Sequence, residues 1–505
     1  MPNVAKTYSE KNSENPFPKK KKKPSSNPPQ EAGFHPPNHA NHIEAKLKGA
    51  SHHGPFRTAP RRAEGRATTP VVTKATNKAA TPTTTEAENP TEEDPTPTNE
   101  VSHPYLPRDI HPYLLNLFPE TRNFQNHPVG GRTKLFLKNW ETLTNDPEIL
   151  NLIKGHEISL TENPQPLSLT KPHRISFSKE EETLIESEIQ NLLEKRAIKK
   201  VPTKEGQILS NLFLKEKKDG GQRPILNLKR LNKLIPYLHF KMEGLHNLKD
   251  IMRQGDFLVK LDLKDAYFTL PLGQGSRKLV NFEWKGDCFE FQVLCFGLAS
   301  APRLFTKTLK IPISILRKLG VRLIAYLDDF LLLGRSKKEI MRARDSMIFI
   351  LEQLGFIINY GKSILTPCKR LEFLGVIVDS NTMTLSLPDN KVQNLTQICQ
   401  KAESSKSMTA QNLAKLVGKL AATMPAVTHS MIQIRYLQRC LRSSLQTNPS
   451  YQANIILSRK ALLELKWWRV NLSLLQGKPL ILHPPDMIIQ SDAAKTGGGA
   501  PTAKE

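Results

Sequence analysis

Two apolar, strand-prone runs in this chain are broken by carboxylates where a buried strand can least accept them: FLVKLDLKD at 257–265 and RLIAYLDDFLLLG at 322–334. Leu258, Val259, Leu261 and Leu263 suit a buried strand, yet Asp262 and Asp265 interrupt them. A buried carboxylate is costly unless hydrogen bonds, an ion pair or a metal compensate it. Sixty-six residues after Asp262, Asp328 and Asp329 stand side by side between two apolar runs, which is a hairpin signal. Two readings are open here. The pair is the polar tip of a turn, with both Asp at its central positions, or it is a metal site at a hairpin tip, because adjacent like charges repel unless a cation sits with them. If the two strands are neighbours in one antiparallel sheet, Asp262, Asp328 and Asp329 converge. The fold must then bring together segments far apart in the chain.

The surrounding pattern suits such a sheet. SFSKEEETLIESEIQNLLEKRAIKKV, residues 176–201, predicts an amphipathic helix capped by Ser178, with Leu184, Ile185, Ile189, Leu192 and Leu193 on one face. NLFLKEK and QRPILNLK flank KDGG and predict a hairpin with a basic tip. After the 257–272 segment come two further strand-like runs. CFGLASAPRLFTKTLKIPISILRKLG then predicts a turn opening a helix, with Pro302 near its first turn. The LDD hairpin follows, then a helix over 336–355 and a last hairpin in LEFLGVIVDSNTMTLSLP. Helices and an antiparallel sheet in this order indicate an α+β fold rather than a doubly wound parallel sheet. Residues 391–475 read as helical, with Trp467 and Trp468 as core aromatics before base-stacking ones. The segment GGRTKLFLKNWETLTNDPEILNLIKG, ahead of the sheet, predicts short capped helices.

Charge and composition point to partners. Residues 1–102 are rich in Pro, Thr, Asn, Lys and Glu and poor in large apolar residues, so they are expected to be disordered. The first 100 residues hold 15 basic and 11 acidic side chains, which leaves +21 of the net charge of +25 on the rest. A basic folded body suggests a polyanionic partner such as nucleic acid, although a solvated basic face would give the same count. Cys288, Cys295, Cys368, Cys399 and Cys440 form no C-x-x-C pair and are expected as buried thiols in a reducing intracellular compartment, cytoplasm or nucleus. No apolar run suggests a membrane span or signal segment. Lys19–Lys23 is either a nuclear address or a solvated basic run, and His35, His39 and His42 read as incidental.

LVKLDLKDAYFTLPL, CFGLASAPRLFTKTL, AYLDDFLLLG and LEFLGVIV, with FLKEKKDGGQRPILNLKRLN ahead of them, resemble the linked motifs of reverse transcriptases over residues 175–380. The resemblance implies a right-hand polymerase with fingers, palm and thumb around an antiparallel palm sheet. It implies two Mg²⁺ ions, with Mn²⁺ an alternative, held by Asp262, Asp328 and Asp329, and an RNA or DNA template-primer and dNTPs as partners. It matches Tyr267 to the aromatic gate against a 2′-hydroxyl and Lys217 with Arg223 to the fingers pair that grips the triphosphate. Asp265 and Ala266 match its triphosphate-binding amides, Phe296 and Gly297 the template- and nucleotide-side turn, and Leu374 and Gly375 the primer grip. A Gln stands in retroviral enzymes where Phe296 stands here, as in retrotransposon and pararetroviral forms.

The flanks GGRTKLFLKNW, LVGKLAAT, RYLQ and LKWW are similar to polymerases of DIRS-type, tyrosine-recombinase retrotransposons. The implied organisation is a tail at 1–102, an N-terminal extension at 103–175, fingers and palm at 176–380 and a helical thumb or connection at 381–480. MIIQSDAAKTGGGA resembles the first strand of an RNase H domain, with Asp492 at its first metal-binding position. Only 13 residues follow Asp492, so residues 481–505 are expected to be a truncated start without RNase H activity. The expected function is RNA-directed DNA synthesis. The alternative is a decayed retroelement relic that only binds nucleic acid.

Overall fold

The computed structural model describes residues 107–118, 127–162, 175–204, 206–216, 222–481, 492–494 and 497–499, all within one compact unit spanning Asp94–Glu505. The tail expected over 1–102, with Lys19–Lys23 and His35, His39 and His42, lies outside the described residues, as does Lys217. Side chains of Arg223 and Asp492 are likewise outside them.

Short helices α1 (Pro112–Leu117), α2 (Leu137–Leu143) and α3 (Pro147–Gly155) precede the long α4 (Lys179–Glu194). Asp146 caps α3 by accepting the Glu148 N–H at 2.8 Å, with Pro147 in the first turn. Ser178 and Glu181 form the reciprocal capping box of α4. Ile185, Ile189 and Leu192 are buried and Leu193 packs beside them, but Leu184 is exposed, so the buried stripe is narrower than predicted. The helix also stops early. Arg196 takes φ +54°, a left-handed stop that is usually made by glycine, and Ile198–Val201 becomes a strand, β1. The prediction of helix to residue 201 is corrected accordingly.

β2 (Leu212–Glu216) and β3 (Gln222–Leu226) form the expected hairpin. β1 pairs with β6 (Asp287–Phe291), which pairs with β5 (Asn281–Trp284). The central sheet comprises β4 (Phe257–Asp262), β7 (Arg322–Tyr326), β8 (Asp329–Gly334) and β9 (Ile364–Cys368), in the order β7-β8-β4-β9. The sequence reading did not identify β9. Two helices, α5 (Ala301–Lys318) and α6 (Lys337–Gln353), connect these strands, and Ser336 caps α6 as its position suggests.

The strand period of two sorts the central sheet between two cores. Val259, Leu261, Leu323, Phe330 and Leu332 enter the core shared with α1–α6, whereas Leu258, Ile324, Leu331 and Leu333 enter the second core. Both faces of β8 are therefore buried, which explains its unbroken Phe-Leu-Leu-Leu run. The N-terminal extension belongs to the first core: Trp140 is fully buried and its Nε1 donates to Leu354 O at 3.1 Å.

LEFLGVIVDSNTMTLSLP does not end the central sheet as one hairpin. It forms β10 (Arg370–Phe373), β11 (Val376–Asp379) and β12 (Thr384–Ser386), which with Lys478–Pro479 make a separate four-stranded sheet. Long-range pairing with residue 478 has no local sequence signature. Helices α7 (Asp389–Ser405), α8 (Ala410–Ala421), α9 (Arg435–Thr447) and α10 (Arg459–Asn471) fill the predicted helical region. Trp468 is fully buried, with Nε1 donating to Gln433 O at 2.7 Å, and Trp467 packs on the same core. The described cysteines form no disulfide; Cys288, Cys295 and Cys399 are buried as expected, whereas Cys368 and Cys440 are only half-buried. Burial pushes Cys295 and Cys399 up to about 12. Among the described residues no helix is long and apolar enough to cross a membrane.

Candidate active site

β4 and β8 run antiparallel in a register that sets Asp262 directly opposite Asp329. In such a pair the Cβ atoms lie about 5 Å apart on one face of the sheet. Period two also puts Lys260 on that face, and its Nζ reaches Asp329 Oδ1 diagonally at 3.5 Å. Asp262 is held on its other side. Asn359 Nδ2 donates to Asp262 Oδ1 at 2.7 Å, and the Asp262 N–H donates to Ser363 Oγ at 3.1 Å. The Asn359 N–H donates to Asp262 O at 2.8 Å, which draws the 357–359 segment alongside the strand end.

Burial raises the Asp262 pKa, and Asp329 opposite raises it further, while Asn359, Lys362 and Lys260 oppose the shift.

The hairpin tip differs from the expected one. Tyr326 pairs with Asp329, so Leu327 and Asp328 occupy the central positions and Asp329 is the first residue of β8. Leu327 takes φ +55°, a left-handed conformation that costs a non-glycine residue about 1–2 kcal/mol. The Leu263 N–H donates to Asp328 O at 2.9 Å and ties the strained tip to the end of β4. Hairpin registry thus gives the two aspartates different backbone roles, one in the ladder and one in the turn.

Asp265, Ala266 and Tyr267 follow β4 directly. Asp265 sits at φ +51° and opens the 3₁₀ turn Ala266–Thr269, its Oδ1 3.0 Å from Lys195 Nζ. The Tyr267 ring lies 5.3 Å from that of Phe296 and 5.4 Å from that of Phe305. Burial raises the Tyr267 phenol pKa, and the charges of Asp328 and then Tyr326 add to it. Gly297 takes φ +101°, and a Cβ there would stand 2.6 Å from Leu226 O, so only glycine lets this turn close on β3. Asn232 fastens the turn, donating to Gly297 O at 2.8 Å and accepting the Ala299 N–H at 2.9 Å.

The β2–β3 register places Arg223 opposite Lys215, within the hairpin whose Leu226 end Gly297 abuts. Leu374 and Gly375 form a two-residue turn at φ +47° and +79°, the left-handed pair of a type I′ hairpin, between β10 and β11. They belong to the separate sheet, and Lys391 Nζ donates to Gly375 O. Asp492 opens a short strand and pairs with Gly499. The structure sets Asp262 opposite Asp329, with Asp328 in the adjoining turn, places Asp265, Ala266 and Tyr267 just after β4, and brings Phe296, beside Gly297, against the Tyr267 ring. Sequence reading missed Lys260, Asn359, Ser363, Lys195 and Asn232, whose roles depend on neighbours up to 101 residues away.

Known proteins resemble this chain over its central region. Residues 215–378 match the family described as reverse transcriptase (RNA-dependent DNA polymerase). Protein P of duck hepatitis B virus is 26% identical over 36% of this chain and 22% of its own length. The enzymatic polyprotein of cauliflower mosaic virus is 25% identical, over 39% and 29% respectively. The Gag-Pol polyprotein of baboon endogenous virus is 29% identical, over 34% and 11%. The chain therefore spans less than a third of the length of each of these relatives. Among solved structures, the foamy viral protease-reverse transcriptase with an RNA/DNA hybrid superposes with a TM-score of 0.52 at 16% identity, covering 78% of this chain and 55% of that one. The same foamy viral protein with dsDNA gives 0.51 at 16% identity, over 76% and 79%. The mixed fold with antiparallel sheets is thus shared with a viral reverse transcriptase, and the match to the reverse transcriptase family over residues 215–378 takes in the central sheet and its aspartates.

Proposed function

We propose that this chain is an RNA-directed DNA polymerase, a nucleotidyltransferase that extends a primer 3′-hydroxyl with dNTPs, from a DIRS-type retrotransposon. The observation that carries the reading is the face-to-face Asp262–Asp329 pair inside the segment that matches reverse transcriptases. In this reading 176–380 act as fingers and palm, 381–480 as thumb or connection, and 103–175 as an extension that packs behind the palm.

The donor set suits a hard divalent cation: two facing carboxylates, with a third on the adjoining turn. Mg²⁺ is commonly bound through one or two carboxylates together with substrate phosphates and water, and the Asp262–Asp329 pair offers two facing carboxylates. Asp262, Asp328 and Asp329 would hold Mg²⁺, or Mn²⁺, and the metal would lower the pKa of the primer hydroxyl and stabilise the departing pyrophosphate.

The chain's own groups do the rest. Asn359 fixes the Asp262 carboxylate and opposes its protonation, and Lys260 balances Asp329 before the substrate arrives. Lys217 and Arg223 grip the triphosphate, and the amides of Asp265 and Ala266 meet its oxygens. Tyr267, wedged between Phe296 and Phe305, bars a 2′-hydroxyl, and Leu374 and Gly375 guide the primer. The basic body attracts the template-primer.

Primer extension on an RNA template tests the reading: incorporation is expected with dNTPs and Mg²⁺ and is lost with chelator. Asn359→Ala is expected to raise the Mg²⁺ concentration for half-maximal incorporation about tenfold, the usual effect of removing a partner of a metal-binding carboxylate. A Mg²⁺ titration of the variant reads this directly, and an unchanged midpoint would remove Asn359 from the account.

A further inference from the structure

The turn that carries Tyr267 is held from behind by a tetrapeptide more than a hundred residues earlier, Gly130-Gly131-Arg132-Thr133. The Gly131 N–H donates to Phe268 O at 2.9 Å. Thr133 Oγ1 donates to Thr269 O at 2.8 Å between two fully buried residues, and Thr269 Oγ1 donates to Ala266 O at 2.7 Å. The chain of hydrogen bonds thus runs from the extension through the whole 3₁₀ turn.

A second arm reaches Asp265. The Gly130 N–H donates to Lys195 O at 2.7 Å, and Lys195 Nζ pairs with Asp265 Oδ1 at 3.0 Å. The approach is close: a Cβ on Gly130 would stand 2.1 Å from Arg196 O, and Gly131 needs φ +68°. Arg132 is buried beside Glu352 of α6 and partly offsets the upward shift that burial imposes on that carboxyl. One tetrapeptide therefore bridges the end of α4, the 265–269 turn and α6.

We propose that Gly130–Thr133 is a positioning strut for the nucleotide pocket, setting the height of the Tyr267 ring and with it dNTP affinity and sugar selection. The inference rests on the polymerase reading. The aromatic rings of Phe296 and Phe305 contact the Tyr267 side chain, whereas the strut holds the backbone on which that side chain stands. Loss of one net hydrogen bond shifts an equilibrium by about three- to tenfold, and an acceptor left buried and unsatisfied shifts it further.

Thr133→Val is nearly isosteric and deletes only the donor, Thr133→Ser restores it, and Lys195→Met cuts the second arm at a partly exposed site. Primer extension with a dNTP and its matching rNTP is expected to show a KM for the dNTP about three- to tenfold higher in Thr133→Val and Lys195→Met. The dNTP-to-rNTP selection ratio is expected to fall by a similar factor, kcat to stay within about twofold, and Thr133→Ser to resemble wild type. If the variants lose kcat or active fraction while KM and selection are unchanged, the segment is only structural and the inference is overturned. If the wild type polymerises and selection does not move, the strut alone is wrong. If the wild type incorporates no dNTP at all, the polymerase reading falls and the strut falls with it.

Discussion

Asp262→Asn is expected to reduce dNTP incorporation by about a hundred- to a thousandfold, the scale of removing one preorganised electrostatic contact from a reacting centre. The fold should survive the change. Asn keeps an oxygen that accepts from Asn359 Nδ2, and the Asp262 backbone bonds to Ser363 and Asn359 do not involve the carboxylate. Stability supplies a separate readout. The native pKa of Asp262 is raised, first by burial, so its stabilising contribution is fully present below the ordinary aspartate range and is lost as pH rises through the native value. Asp262→Asn removes that loss. Without added metal the variant is therefore expected to be at least as stable as wild type near neutral pH, measured by denaturant unfolding, while being nearly inactive. A variant that is both inactive and unfolded would point to a structural role.

Tyr267→Ala is expected to lower the dNTP-to-rNTP selection ratio by about one to two orders of magnitude if, as proposed, the ring excludes a 2′-hydroxyl by clash rather than selecting by attraction. The ring is fixed by two aromatic neighbours and by the turn beneath it, so it cannot step aside for a 2′-hydroxyl. Tyr267→Phe should keep the selection, since the ring is the obstacle; burial and Asp328 already hold the phenol protonated. Single-nucleotide insertion with paired dNTP and rNTP concentrations measures the ratio. A ratio that falls equally in Phe and Ala would assign the selection to the hydroxyl.

Much of the central site was legible because its signals are local. Carboxylates within apolar strand patterns marked Asp262 and the hairpin, and Ser178 marked the start of α4. Failures came where the deciding partner is remote or the local rule is broken. Arg196 ends α4 in a conformation usually left to glycine, and Leu327 takes a turn position that the two aspartates were expected to share. Nothing around residue 364 announces that it pairs with Lys260, nor around 384 that it pairs with Pro479. Asn359 and Lys195 are ordinary polar residues until the fold delivers them to Asp262 and Asp265. The extension was legible as helices, but its hold on the nucleotide turn exists only through contacts such as Thr133 to Thr269.

The central claim is that the aspartates of β4 and the β7–β8 hairpin form a metal-dependent polymerase centre. Single-turnover primer extension on a primed RNA template, by wild type and Asp328→Asn side by side with duplex binding measured on the same samples, tests it most directly. The account predicts Mg²⁺-dependent dNTP incorporation by wild type, a loss of about a hundredfold or more in the variant, and similar duplex binding by both. Equal inactivity of the two proteins with duplex binding retained would contradict it and leave a protein that only binds nucleic acid.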